Sequence, residues 1–159
     1  MDTPPESAVV VSLDSKKAKR ASERKWGRAV ISLGFSILPS LIFRAQARLG
    51  LNATQLAILL HLADFWWDSD RKPFPKLKTL GERLDLSARQ VARYIDGLET
   101  AGFLTKEKRI VKGRGRVSNA YDLSGLVAKL AKLEPEFREL SEMKRRVMKK
   151  GGLAAKPAA

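Results

Sequence analysis

The sequence contains no cysteine and one histidine, His61. Without thiolates there is no disulfide framework, no thiolate zinc site and no iron–sulfur cluster. A single imidazole cannot build a multi-histidine metal cage or a two-histidine acid–base pair. Acid is scarce as well: 17 Asp and Glu face 31 Lys and Arg, a net charge of +14. That excess attracts polyanions, so nucleic acid or an anionic surface leads the partners to be considered. Long apolar runs are missing. The most apolar stretch, residues 51–67, is interrupted by Gln55, His61 and Asp64, short of the ~20 uninterrupted apolar residues of a spanning helix. Residues 1–17 lack a basic start followed by an apolar run, so no secretory signal is expected. There is no glycine-rich phosphate loop and no acid–base–nucleophile cluster, so neither enzymatic activity nor a cofactor is expected. Asp64, Asp68 and Asp70 lie close together and paired carboxylates can hold magnesium, but no further acidic motif accompanies them, and no metal is expected. What remains is a soluble, basic, intracellular protein, cytoplasmic and nucleoid-associated rather than membrane-bound.

The 159 residues, 44% of them apolar, suffice for one domain with extensions. Residues 1–25 combine Pro4, Pro5, several serines and the basic run of 16–25, which predicts a disordered basic arm. Order is expected from Trp26, with a domain over 26–124, a helical extension over 125–150 and a loose tail over 151–159. Ile31, Leu33, Phe35 and Ile37 alternate with small polar residues, the period of a half-buried strand. Pro39 suits the first turn of a helix running to about Leu49. A second helix is expected from Asn52 or Ala53, with Leu56, Leu59, Leu60 and Ala63 at helical spacing. At its end stand Trp66 and Trp67, expected to pack that helix end rather than to offer a platform for stacked bases. His61, among leucines, is expected to be packed or at the rim.

Residues 77–98 carry the densest signal. Leu77, Leu80 and Leu84 stripe one short helix, Asp85 and Leu86 form a tight turn, and Ser87 starts another helix. Ser87 with Gln90 three residues on is a capping box. Val91, Tyr94, Ile95 and Leu98 give the second helix its apolar face, with Arg89, Gln90 and Arg93 opposite, and Gly102 is placed to end it in a left-handed cap. Beyond it, Phe103, Leu104, Ile110, Val111 and Val117 bracket the basic tip of 112–116, which reads as two antiparallel strands.

Two short helices joined by a three-residue turn resemble a helix-turn-helix, with Gly81 where the helices must cross closely and Asp85 where that family usually has glycine. With the following hairpin, the run over about 29–125 resembles the winged-helix family. More narrowly, it is similar to the winged-helix domains of phage and plasmid replication proteins and of small bacterial regulators. The implied fold is α+β, mostly α: a winged helix-turn-helix with a small antiparallel sheet, to which the strand near 30–37 contributes a third member, and an added C-terminal helix.

The resemblance places Ser87, Ala88, Arg89, Gln90 and Arg93 in the major groove of double-stranded DNA. Arginine can donate in bidentate fashion to guanine, and glutamine can pair likewise with adenine. Lys112, Arg114 and Arg116 at the wing suit the minor groove or its phosphates, and Lys76, Lys78 and Thr79 the backbone. Asn119 and Tyr121 are expected to be structural. Further on, Leu126, Leu130, Leu133, Phe137 and Leu140 step by four and three, a coiled-coil seam that Pro135 should split or kink. The expected role of that seam is homodimerisation, the alternative being that it packs on the domain's own first helix. The function expected first is sequence-specific transcriptional regulation by repression. The alternative is a plasmid or phage replication or partition factor that binds repeated sites and recruits a replication partner. An adaptor that uses the fold without DNA has no need of these arginines.

Overall fold

The computed structural model describes the backbone of residues 8–151 and the side chains of 16–151. The chain divides into two units, one ending at Ile37 and one beginning at Leu38. In the first unit, α1 (Ala8–Trp26) runs to Gly27, whose φ of +90° breaks it before α2 (Arg28–Ser32). The disordered arm expected over 1–25 is therefore corrected for residues 8–25, while residues 1–7 lie outside the described part. The cause is composition: 8–26 holds neither proline nor glycine and is rich in Ala, Lys and Arg, which favour helix.

The strand expected near 31–37 is also corrected. Ile31 is helical, its amide bonded to the Gly27 carbonyl at 3.2 Å. Residues 34–37 are irregular, with Leu33 and Ile37 about nine-tenths exposed. Alternation buries nothing unless a strand edge accepts the segment. The outer edge of the hairpin's return strand is met instead by the chain before the helix-turn-helix, the Tyr121 amide donating to the Pro73 carbonyl at 2.8 Å.

The second unit opens with α3 (Ser40–Arg44), shorter than the helix expected to reach Leu49, its remainder being turns closed at Gly50. Next, α4 (Ala53–Asp64) starts at Asn52, whose side chain and that of Gln55 form a reciprocal capping box. Then come α5 (Leu77–Leu84) and α6 (Ala88–Thr100). Ile42, Leu59, Leu62, Leu80, Val91, Ile95 and Leu98 join Phe103, Tyr121 and Leu126 in one core.

The hairpin is two short ladders in series. β1 (Thr105–Glu107) pairs antiparallel with β4 (Ala120–Asp122), and β2 (Ile110–Val111) with β3 (Gly115–Arg116). Between the ladders two residues on one side face three on the other, which breaks the pairing as a bulge does. The Val117 amide still reaches the Arg109 carbonyl at 3.1 Å.

The chain then enters α7 (Ser124–Lys149), which passes through Pro135 as one helix, where two helices or a sharp kink were expected. Side chains span the weak point. Arg138 pairs with Glu134 at 2.5 Å, and Arg48 grips Glu136 with two bonds of 2.7 and 3.0 Å. The Arg44 guanidinium lies 5.3 Å from the Phe137 ring centre. Thus α7 packs on α3 and the turns after it. Residues 152–159, most of the expected tail, lie outside the described residues. Among those described, no helix is long and apolar enough to cross a membrane.

Candidate nucleic-acid interface

The geometry of α5 and α6 rests on two residues. Gly81 is buried where α5 meets the turn, and a methyl group there would collide with the Leu86 carbonyl oxygen. Asp85 adopts the left-handed conformation, φ 55° and ψ 45°, and the Leu86 amide closes the turn on the Gly81 carbonyl at 2.9 Å. Ser87 then caps α6. Its hydroxyl accepts from the Gln90 amide at 3.1 Å, and the Gln90 Oε1 accepts from the Ser87 amide at 2.9 Å. Two orphan donors are satisfied, and Gln90 is left with its Nε2 protons for anything outside.

Val91, Ile95 and Leu98 face the core, so Arg89, Gln90 and Arg93 face solvent. Gln90 and Arg93 line, with Tyr94, a surface hollow of about 250 Å3. Arg89 sits in the first turn, where the helix dipole favours an anion; its position does not serve the helix. The acids of α6 lie at the other end and are taken up by the hairpin: Asp96 and Glu99 hold the Lys106 ammonium at 2.5 and 3.2 Å. The bond to Asp96, then that to Glu99, raises the Lys106 pKa, while the Lys106 amide that Glu99 accepts at 2.8 Å, and after it the ammonium, lowers that of Glu99. Among the described residues Arg89 and Arg93 have no acidic partner.

The hairpin tip carries Lys112, Arg114 and Arg116, all exposed. Gly113 and Gly115 take positive φ, 83° and 69°, and the Arg114 amide closes on the Val111 carbonyl at 3.0 Å. Arg116 and Lys76, far apart in sequence, line one cleft of about 540 Å3 between the start of α5 and the return strand, with Asn119 and Tyr121 in its wall. Lys76 is exposed at the N-cap of α5; Lys78 lies 3.8 Å from Glu82, and Thr79 is half-buried. The proposed contacts thus fall into three sets: the start of α6, the cleft of Lys76 and Arg116, and the hairpin tip.

His61 is half-buried in α4. Burial first, and the Arg83 charge second, hold its pKa below the usual value. Asp64 pairs with Arg83 at 3.2 Å, while Asp68 and Asp70 belong to one tight turn in which the Asp70 amide bonds the Asp68 carboxylate at 3.2 Å. The two tryptophans separate. Trp66 packs on the core, whereas Trp67 is 73% exposed, so packing of the helix end accounts for one of them alone. Sequence reasoning passed over Arg71 and Arg109, whose guanidinium carbons lie 5.6 and 3.9 Å from the Phe74 ring centre. For Arg71 the available signal was the gathering of four aromatic residues and the Arg71–Lys72 pair within 65–74, overshadowed by its turn-forming Asp, Ser and Pro; for Arg109 there was none.

A helix-turn-helix whose second helix leads into a basic hairpin, with a long helix behind, defines a winged-helix-like α+β class. The chain belongs to the DnaD N-terminal domain family, whose model matches residues 38–142. That match opens with the second unit and runs well into α7. Among solved structures, the N-terminal domain of DnaD protein from Geobacillus kaustophilus HTA426 is similar at 23% identity and a TM-score of 0.52, over 72% of this chain and 93% of that one. Looser likenesses, at 17% identity, are the disulfide-formed AbfR, over 87% of this chain and 98% of that one with a TM-score of 0.39, and reduced AbfR bound to DNA, over 85% and 99% with a TM-score of 0.40. No curated protein matches the chain by sequence.

Proposed function

We propose that the protein binds double-stranded DNA, with the start of α6 in the major groove, and that it does so in replication or partition rather than as a local repressor. The observation that carries DNA binding is the uncompensated cationic face of α6: Arg89 and Arg93 are exposed and without an acidic partner among the described residues, on a helix whose own acids are neutralised by Lys106. Ser87 and Gln90 hold the cap, which leaves the two arginines as the principal base readers, Ala88 as an apolar contact and Gln90 Nε2 as a donor. Lys112, Arg114 and Arg116 lie along the flanking minor groove or its phosphates, and Lys76, Lys78 and Thr79 along the backbone. Membership in the DnaD N-terminal domain family supports the replication role over repression, whereas the winged-helix resemblance extends to replication proteins and small regulators alike. The protein acts by occupancy, without catalysis or cofactor, as a homodimer that meets a replication partner in the cytoplasm.

The test is to mix the protein with fragmented host DNA at near-physiological salt, recover what is retained and sequence it. Clustered repeats near an origin are expected. One peak at a neighbouring promoter would restore the repressor, and uniform retention abolished by salt would refute sequence reading. Arg93→Ala should cost ~1–3 kcal/mol and relax preference at one base position, whereas Arg114→Ala should weaken all sites and reduce the salt slope by about one.

A further inference from the structure

Beyond the end of α4 the surface holds a hollow of about 340 Å3, walled by Phe65, Trp67 and Phe74, with Asp68, Arg71, Lys72 and Pro75 completing the lining. Trp67 is 73% exposed and Phe74 38%. The hollow lies outside α6 and the hairpin tip, and shares no lining residue with the cleft of Lys76 and Arg116 beyond the adjoining Pro75.

Its charges separate into bound and available. Lys72 is held by Glu107 and Asp122 at 2.5 and 2.9 Å, and Arg83, 4.6 Å from the Phe65 ring centre, pairs with Asp64. The acid of the hollow, Asp68, receives the Asp70 amide. Arg71 has no acidic partner among the described residues and lies over Phe74; Arg109, outside the lining, lies over the same ring but is engaged by the Ser118 carbonyl and hydroxyl, each at 3.4 Å. Both phenylalanine rings therefore already carry a guanidinium on a face. Among the described residues the Trp67 indole carries no cation, and it is the largest ring of the three. The turn that follows it is closed by an isolated antiparallel bridge between Asp68 and Arg71, which brings Arg71 back toward the start of the turn.

We propose that this hollow is a second nucleic-acid site, which takes an unpaired base of single-stranded DNA flat on the Trp67 indole, with Arg71 on the adjoining phosphate. The walls favour this occupant over a peptide. Three of the lining residues are planar aromatic rings and only Pro75 is aliphatic, too little to seat a leucine or valine, and the available cation is the Arg71 guanidinium, suited to phosphate and to base faces alike. A base in a duplex keeps its faces stacked on its neighbours, so only an unpaired one can lie on Trp67. The site is separate from the α6 face and the hairpin tip, adjoins the cleft of Lys76 and Arg116 at Pro75, and would serve where a duplex has been opened.

The full chain can be titrated, by fluorescence anisotropy, into a labelled oligothymidylate of about 12 nucleotides, within single-strand site sizes, and into a labelled mixed-sequence duplex of similar length. Trp67 is exposed, so Trp67→Ala should leave the thermal midpoint in place. It should weaken oligothymidylate binding ~5–150-fold, the range of one lost base–aromatic stack, while duplex affinity changes less than about twofold; Trp67→Phe should restore most of the loss and Arg71→Ala should lower the salt slope. Arg93→Ala should show the reverse selectivity, so if duplex binding fails while Trp67-dependent single-strand binding persists, the proposed function falls and this site stands. Wild-type protein that ignores oligothymidylate overturns the site and points to a protein partner for the hollow. Equal affinity of wild type and Trp67→Ala, or equal loss on both DNAs, overturns it too.

Discussion

Gly81 offers the sharpest test of the helix-turn-helix geometry, because the same substitution at a second glycine should act with the opposite sign. In a helix interior Gly→Ala ordinarily stabilises by about 0.5–1 kcal/mol. Gly97, in α6, is exposed with nothing near its missing Cβ, so Gly97→Ala should realise that gain. At Gly81 the added methyl meets the Leu86 carbonyl oxygen, a backbone atom that cannot swing aside. Overpacking of this kind costs ~1–3 kcal/mol, and displacing Leu86 also strains its 2.9 Å bond to the Gly81 carbonyl, a net contribution of about 1 kcal/mol. Against the propensity gain, Gly81→Ala should lose ~1–3 kcal/mol, about 4–12 °C in Tm for a domain of this size. Thermal unfolding followed by circular dichroism measures both variants, and duplex affinity of the folded protein should fall for Gly81→Ala alone, since the crossing aims Arg89 and Arg93. A Tm rise in both would mean that the helices do not cross closely at Gly81, and the reasoning would fail.

Two further outcomes are expected. The Ser124 hydroxyl and amide, then the Lys72 ammonium, hold the Asp122 carboxyl at about 2 against an ordinary 3.8. Between those values the unfolded chain binds the extra proton, so the stabilisation, about 1–2 kcal/mol, is complete above about pH 4 and lost as pH falls toward 2. Asp122→Asn should thus be less stable than wild type at pH 7 in urea, with the gap closing near pH 2; a gap independent of pH would refute the assignment. In the coiled-coil stripe, Leu126 is buried in its own domain and Phe137 lies beneath Arg44, whereas Leu140 and Met143 stay exposed. If the distal half of α7 pairs two copies, Leu140→Asp with Met143→Asp should halve the mass in light scattering, and an unchanged mass rules that half out.

What was legible in the sequence was local. The capping box at Ser87/Gln90 joins residues three apart, and the left-handed turn at Asp85 and the helix end at Gly102 depend on single backbone conformations, so each was read from a few letters; the box at Asn52/Gln55 has the same spacing, and of it only the helix start was read. The failures needed distant partners. Ile31, Leu33, Phe35 and Ile37 have the period of a strand, but a strand forms on an edge, and Tyr121 bonds Pro73 instead. Pro135 breaks helices in isolation, and it is Arg48 and Arg44, some ninety residues earlier, that grip the turn after it. Trp66 and Trp67 are identical neighbours in a sequence, and only the direction of the chain after α4 buries one and exposes the other.

The same distinction bears on the interface itself. From sequence, Ser87, Gln90, Arg89 and Arg93 are four polar residues at one helix start, all equally placed to meet a base. In the structure the first two answer each other's amides, and a group already engaged in a cap gains little by exchanging that bond for another. The arginines are the reverse case: one opposes the helix dipole, and neither has an acidic partner among the described residues, so an external anion adds an interaction that the free protein lacks. An affinity difference arises only from such additions. In the proposed complex, specificity should therefore concentrate at base positions within reach of Arg89 and Arg93, while substitution of Ser87 or Gln90 should act chiefly through the stability of α6.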